Sequence, residues 1–127
     1  MTNQTDKHPQ PTDRALLRAA WAAEHASART DRAAGDIAVE WHHLERAHVL
    51  SQPMALAHLR THAAMLAYGL RRRDRREVTG QLIRLIVAGP GSLTRRYPVG
   101  NTGGANISAL AVLPLPDDLR VLLAVRA

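Results

Sequence analysis

The chain contains no cysteine and no phenylalanine. Without thiols it can form neither a disulfide nor a thiolate metal site, so any metal must be held by nitrogen and oxygen. A soft-metal trap for Cu(I) or Hg is thereby disfavoured. Met54 and Met65 could add thioether character, although a methionine at helical spacing belongs first to a core. The aromatics are Trp21, Trp41, Tyr68 and Tyr97 alone, which gives single-stranded bases little to stack on. No apolar run reaches membrane-spanning length, and the opening residues MTNQTDKHPQPTD lack the hydrophobic segment of a signal peptide. A cytoplasmic protein with no membrane partner is expected.

At 127 residues the chain is long enough for one domain and short for two. Seventeen Lys and Arg against eleven Asp and Glu give a net charge of +6. Lys7 is the single lysine, and alanine is abundant, a balance that a GC-rich genome gives many proteins. A solvated basic surface accounts for the charge, and a nucleic-acid partner is disfavoured because no binding motif accompanies it.

Residues 41–65, WHHLERAHVLSQPMALAHLRTHAAM, organise the rest. They read as two helices folded back at Ser51-Gln52-Pro53, because proline is tolerated only in a helix's first turn. Glu45 and His48, three apart, share a face of the first arm. His58 and His62, four apart, share a face of the second. His48 lies five residues before Pro53 and His58 five after, while Glu45 lies eight before and His62 nine after. An antiparallel hairpin therefore sets His48 level with His58 and Glu45 level with His62. These spacings are the ones by which helices present ligands to Zn or Fe. The expected metal set is Glu45, His48, His58 and His62, with Glu24 and Glu77 as weaker candidates. In the competing reading the histidines cap helices, bond to backbone carbonyls or face water.

Taken in order, residues 1–12 read as a disordered tail punctuated by Pro9 and Pro11. A first helix starts near Thr12 or Asp13 and keeps its period through Leu16, Leu17, Ala20 and Trp21 to about Ala34. Gly35 suits its C-terminal cap and Asp36 the next N-cap. On this helix Glu24 reads either as a further ligand or as an exposed carboxylate paired with an arginine. The second helix spans about Ile37 to Leu50, with His42 and His43 set away from its apolar stripe. The third runs from about Ser51 to Arg72. Asp74 and Glu77 then form a D-x-x-E capping box that opens a fourth helix to about Ala88. Capping alone explains Glu77. Arg71, Arg72, Arg73, Arg75 and Arg76 make a dense positive knob, able to grip phosphate or an acidic partner or simply to face water as a solvated helix end.

Gly89-Pro90-Gly91 is expected to break the fourth helix. Beyond it, Gly100, Gly103 and Gly104 supply turns, and Pro98, Pro114 and Pro116 force extended backbone. Residues 105–113 read as a strand or a buried extended run, and Asp117 or Asp118 can cap a short last helix. The glycines are not a phosphate-binding loop, since the Gly-Lys-Ser/Thr ending is missing. The fold expected is all-α: a four-helix bundle or paired helical hairpins, with an extended Gly/Pro-rich arm from about residue 89 and a short last helix. The paired helices are also similar to tetratricopeptide-type hairpins, although the repeat signature is degraded.

The run LERAHVLSQP, the pattern H-x-x-x-H-x-x-M, the element GQ-x-x-RL, the stretch GSLTRRYPVGNTG and a Pro-x-Pro-x-x-L ending together resemble small bacterial proteins of domain-of-unknown-function family 3703. The resemblance covers about residues 37–120. It places the family's polar motif positions on Glu45, His48, Gln52, His58, His62, Gln81, Asn101 and Thr102. Val112-Leu113 stands where the family usually carries Pro-Met. The resemblance aligns motifs and implies no chemistry.

Two functions follow from the residues themselves. One is a small helical protein that holds a divalent ion, Zn or Fe foremost, through the Glu/His cluster, as a metal-dependent enzyme or a metal-handling protein. The other is a helical protein-protein interaction module with structural histidines. Short alanine-rich helices that leave apolar surface uncovered also admit a homo-oligomer.

Overall fold

The computed structural model describes residues 11–93, 99–108 and 111–124. These form five helices and, among the described residues, no strand: α1 (Pro11–Ala34), α2 (Ile37–Ser51), α3 (Ala55–Arg72), α4 (Arg75–Leu93) and α5 (Asp117–Ala124). The all-α expectation holds. The tail expected over residues 1–12 falls largely outside the described residues, and Pro11 and Thr12 already belong to α1.

Local chemistry sets the boundaries. Gly35 takes the left-handed conformation after α1, and the Asp36 carboxylate accepts from Val39 N to cap α2. At the hairpin turn Met54 N donates to Ser51 O at 2.7 Å, and α3 starts at Ala55, two residues beyond Pro53. Pro53 therefore occupies the turn itself and not the first turn of α3. Asp74 caps α4 through Glu77 N, so that half of the capping box forms. The expected break at Gly89-Pro90-Gly91 is corrected, because helical backbone continues to Leu93. An internal proline removes one backbone hydrogen bond but leaves helical dihedrals open to the chain.

Helices α1 and α2 form one hairpin and α3 and α4 a second, joined by packing of α2 on α3, while α5 lies against α2 and α1. Two apolar clusters hold them. Leu17, Val49, Leu50 and Leu119 unite α1, α2 and α5, with Trp21, Met54 and Leu115 around them. Ala28, Leu44 and Met65 unite α1, α2 and α3, flanked by Trp41 and Tyr68, whose rings stand 4.8 Å apart. Residues 99–108 and 111–113 are turn and irregular backbone, and Leu113 N donates to Val99 O. They include residues 105–108 and 111–113 of the expected strand.

Candidate metal centre

The polar interior lies where α2, α3, α4 and the 100–108 loop meet. His48, Ser51 and Gln52 from α2 and its end, His58, Thr61 and His62 from α3, Glu77, Gln81 and Arg84 from α4, and Asn101 from the loop are all buried. So many buried polar side chains in a small domain require internal partners, and Asn101 and Gln81 supply two of them to the histidines.

The Nε2 atoms of His48, His58 and His62 form a nearly equilateral triangle. The separations are 2.9 Å between His58 and His48, 3.1 Å between His48 and His62, and 3.1 Å between His62 and His58. The hairpin register explains the convergence: His48 meets His58 across the turn, and His62 joins from the next turn of α3 on the same face. The three rings are 7% exposed or less.

The protons are set from outside the triangle. His48 Nδ1 lies 2.6 Å from the backbone oxygen of Asn101, which can only accept, so His48 carries its proton on Nδ1. His62 Nδ1 lies 2.6 Å from Gln81 Oε1. The orientation of that amide follows from its other end, where Gln81 Nε2 donates to Glu77 Oε1 at 2.6 Å and to Gly103 O at 2.8 Å. Gln81 therefore turns its oxygen to His62, which likewise holds its proton on Nδ1. In their neutral forms both rings present bare Nε2 lone pairs to each other at 3.1 Å, with no proton between them.

Those neutral forms are favoured. Burial, with the neighbouring His62 and His58, holds His48 well below the ordinary imidazole range. Burial also pushes His62 down to about 4, opposed by the hydrogen bond to Gln81 and assisted by the Arg84 guanidinium. Two imidazoles with fixed outward N–H groups and inward lone pairs, completed to a triangle by Nε2 of His58, suit a cation. An ion held at about 2.1 Å spaces two of its nitrogen ligands by roughly 3.0 to 3.4 Å, from right-angled to tetrahedral geometry.

The loop is built onto this cluster. Asn101 Oδ1 accepts from Gly103 N, and its amide donates to Ser108 O and Ala111 O, so one side chain shapes the turn. Gly103, at φ +84°, rests on the His48 ring so closely that a Cβ there would lie 2.4 Å from His48 Cδ2. Ala105 N donates to Glu77 Oε2, and Arg84 donates to Ile107 O. Glu77 thus braces Gln81 with one oxygen and the loop with the other.

The structure brings His48, His58 and His62 together and leaves the carboxylates outside that group. Glu45, half-buried, hydrogen-bonds Thr102; burial raises its carboxyl, an effect opposed by this bond and by His42, while Glu77 adds to the rise. Glu24 pairs with Arg46 at 2.8 Å and with His43 at 2.6 Å, and Arg46 also reaches Asp118. Glu77 is engaged by Gln81 and Ala105 as described. Gly103 reads in the sequence only as a turn residue, and Arg84 carries no sequence signal beyond its place three residues after Gln81 in GQ-x-x-RL. Of the outer partners, Gln81 and Asn101 are visible beforehand only through the motif resemblance.

Comparison with known proteins agrees with that resemblance. The chain belongs to the family described as Protein of unknown function (DUF3703), whose model matches residues 15–123. No curated protein and no solved structure matches it.

Proposed function

We propose that this member of a family without an assigned activity binds one divalent transition-metal ion through Nε2 of His48, His58 and His62. The observation that carries the reading is the 2.9–3.1 Å triangle of Nε2 atoms, with the Nδ1–H groups of His48 and His62 anchored on outer acceptors. Metal-ligating histidines are characteristically oriented in this way, the second ring nitrogen donating to a carbonyl or carboxylate. An all-nitrogen donor set without thiolate suits Zn or Fe.

Three protein donors leave room for a fourth. Glu45 lies one helical turn before His48 and is the carboxylate that this reading assigns to that role, by exchange of its bond to Thr102. A site so completed is structural or metal-handling; with the position left to an outside molecule, the ion would supply Lewis-acid chemistry. Helical interaction without metal is the alternative that the same test decides.

The test is elemental analysis by plasma mass spectrometry of untagged protein purified without chelator, beside a His48→Ala/His62→Ala variant whose helicity is checked by circular dichroism. Close to one metal per parent chain and none in the folded variant is the expected result. A metal-free parent that also takes up no Zn, Fe, Cu or Mn on titration would overturn the reading.

A further inference from the structure

Helices α1 and α3 both pack on α2, and where they flank it they leave a groove along its surface. Part of the groove is closed by polar bridges: Trp21 Nε1 donates to Thr61 Oγ1 at 2.9 Å, and His25 Nε2 lies 3.1 Å from the same oxygen. Beyond these bridges the groove opens into a cleft of about 90 Å³, room for several water molecules or one small anion. It stays open because α3 presents Ala64 and Ala67 there, side chains too short to reach across.

The charge of the cleft is one-sided. Arg29 and Arg32 line it from α1 and Arg71 from α3, with Leu44 and Glu40 from α2 beneath. Glu40 is the single carboxylate in the lining, and it is already engaged. Only 4% exposed, it accepts Arg71 Nη2 at 2.5 Å and Nη1 at 3.4 Å. This bond fixes the Arg71 guanidinium against α2 while leaving other N–H groups of its five free to donate elsewhere. Arg29 and Arg32 make no ion pair among the described residues. The positive charge on Arg29 is felt across the cleft wall, where it adds to burial in keeping His25 neutral.

Three guanidinium groups around one cavity, with a single carboxylate beneath them held by one of the three, make a receptor for oxyanions, which arginine forks grip through paired N–H donors. We infer that the cleft bounded by Arg29, Arg32 and Arg71 binds a small oxyanion, a phosphate or a carboxylate, at a site separate from the histidine triad. The anion sits against Leu44 and the alanines and is held at its oxygens by the arginines. Nothing in this assignment depends on metal at the triad.

The experiment is an NMR titration that follows the ring protons of His25, which lines the cleft, at constant ionic strength. Inorganic phosphate and succinate are added in separate arms, with chloride as the control. Arg29→Gln/Arg32→Gln is the comparison variant, because both side chains are exposed and the melting temperature without added anion should not change. Arg71 is left intact so that Glu40 keeps its partner. A saturable shift with phosphate, with succinate or with both is expected, and the responding arm identifies the source of the oxyanion. The double variant should bind roughly tenfold more weakly, in line with the loss of a charge-assisted hydrogen bond. No saturable shift in either arm, or an equal response in the double variant, would overturn the assignment.

Discussion

Gln81 Oε1 stands 2.6 Å from Nδ1 of His62, and this contact fixes where His62 carries its proton. Glu77 and Gly103 occupy the amide's donors, so Gln81 turns its oxygen to the ring and the ring turns its lone pair to His48 and His58. Gln81→Leu removes that acceptor without adding charge. The expected outcome is a loss of roughly 10- to 100-fold in metal affinity with the helices retained. Competition against a chromophoric chelator, with circular dichroism alongside, reads both quantities. Unchanged affinity would show that the outer bond does not govern the triad.

Gly103 serves the site by lacking a side chain. Gly103→Ala meets a left-handed φ and places a Cβ 2.4 Å from His48 Cδ2, whereas Gly35→Ala meets a similar φ of +76° with nothing within 4 Å. Both variants should lose about 1 kcal/mol or more to the backbone alone. Only Gly103→Ala should also displace the His48 ring and weaken metal binding. Urea denaturation and metal titration of the two variants separate strain from contact.

The C-cap of α3 is occupied by Arg73 at φ +54°, the one described non-glycine residue with positive φ. Its N–H and that of Asp74 return to Leu70 O and Gly69 O, the hydrogen bonding of a Schellman-type ending that favours glycine. Arg73→Gly is expected to stabilise the fold by about 1 kcal/mol, seen as a higher urea midpoint at unchanged m-value.

Stability of the metal-free protein should depend on pH in a defined direction. Burial lowers His62 from 6.5 to about 4 and lowers His48 as well, so the unfolded rings take up protons more readily than the folded ones. The contribution from these neutral rings is complete above about pH 6.5 and is lost progressively as the pH falls from there toward about 4. For His62 alone it is of the order of 3 kcal/mol. Urea midpoints across this range should fall with pH in the parent and fall less in His62→Gln. Equal slopes in the two proteins would contradict the assignment.

Much of the fold is legible in the sequence because its boundaries have local causes. Asp36 and Asp74 cap helices with their own side chains, Gly35 ends one, and the Ser51-Gln52-Pro53 turn folds α3 back on α2. The convergence of His48 with His58 follows from their equal distances to Pro53. The end of α4 does not, because whether helical backbone passes through Gly89-Pro90-Gly91 is settled by tertiary context and not by propensity. Glu24 illustrates a second limit. Its place on α1 says nothing of Arg46 and His43, which reach it from α2. Glu77 and His48 illustrate a third, since each is met by a backbone group of a loop more than twenty residues along the chain: Ala105 N donates to Glu77 Oε2, and the Asn101 backbone oxygen accepts from His48 Nδ1. Helical periodicity carries no information about such partners.

The most direct measurement of the central claim is anomalous diffraction from crystals of the metal-loaded protein, recorded on both sides of the absorption edge of the metal found by elemental analysis. One strong anomalous peak is expected over the face of the triangle of His48, His58 and His62, at about 2.1 Å from each Nε2. A triangle without a peak in crystals that hold the metal elsewhere, or a peak held by other residues, would contradict it.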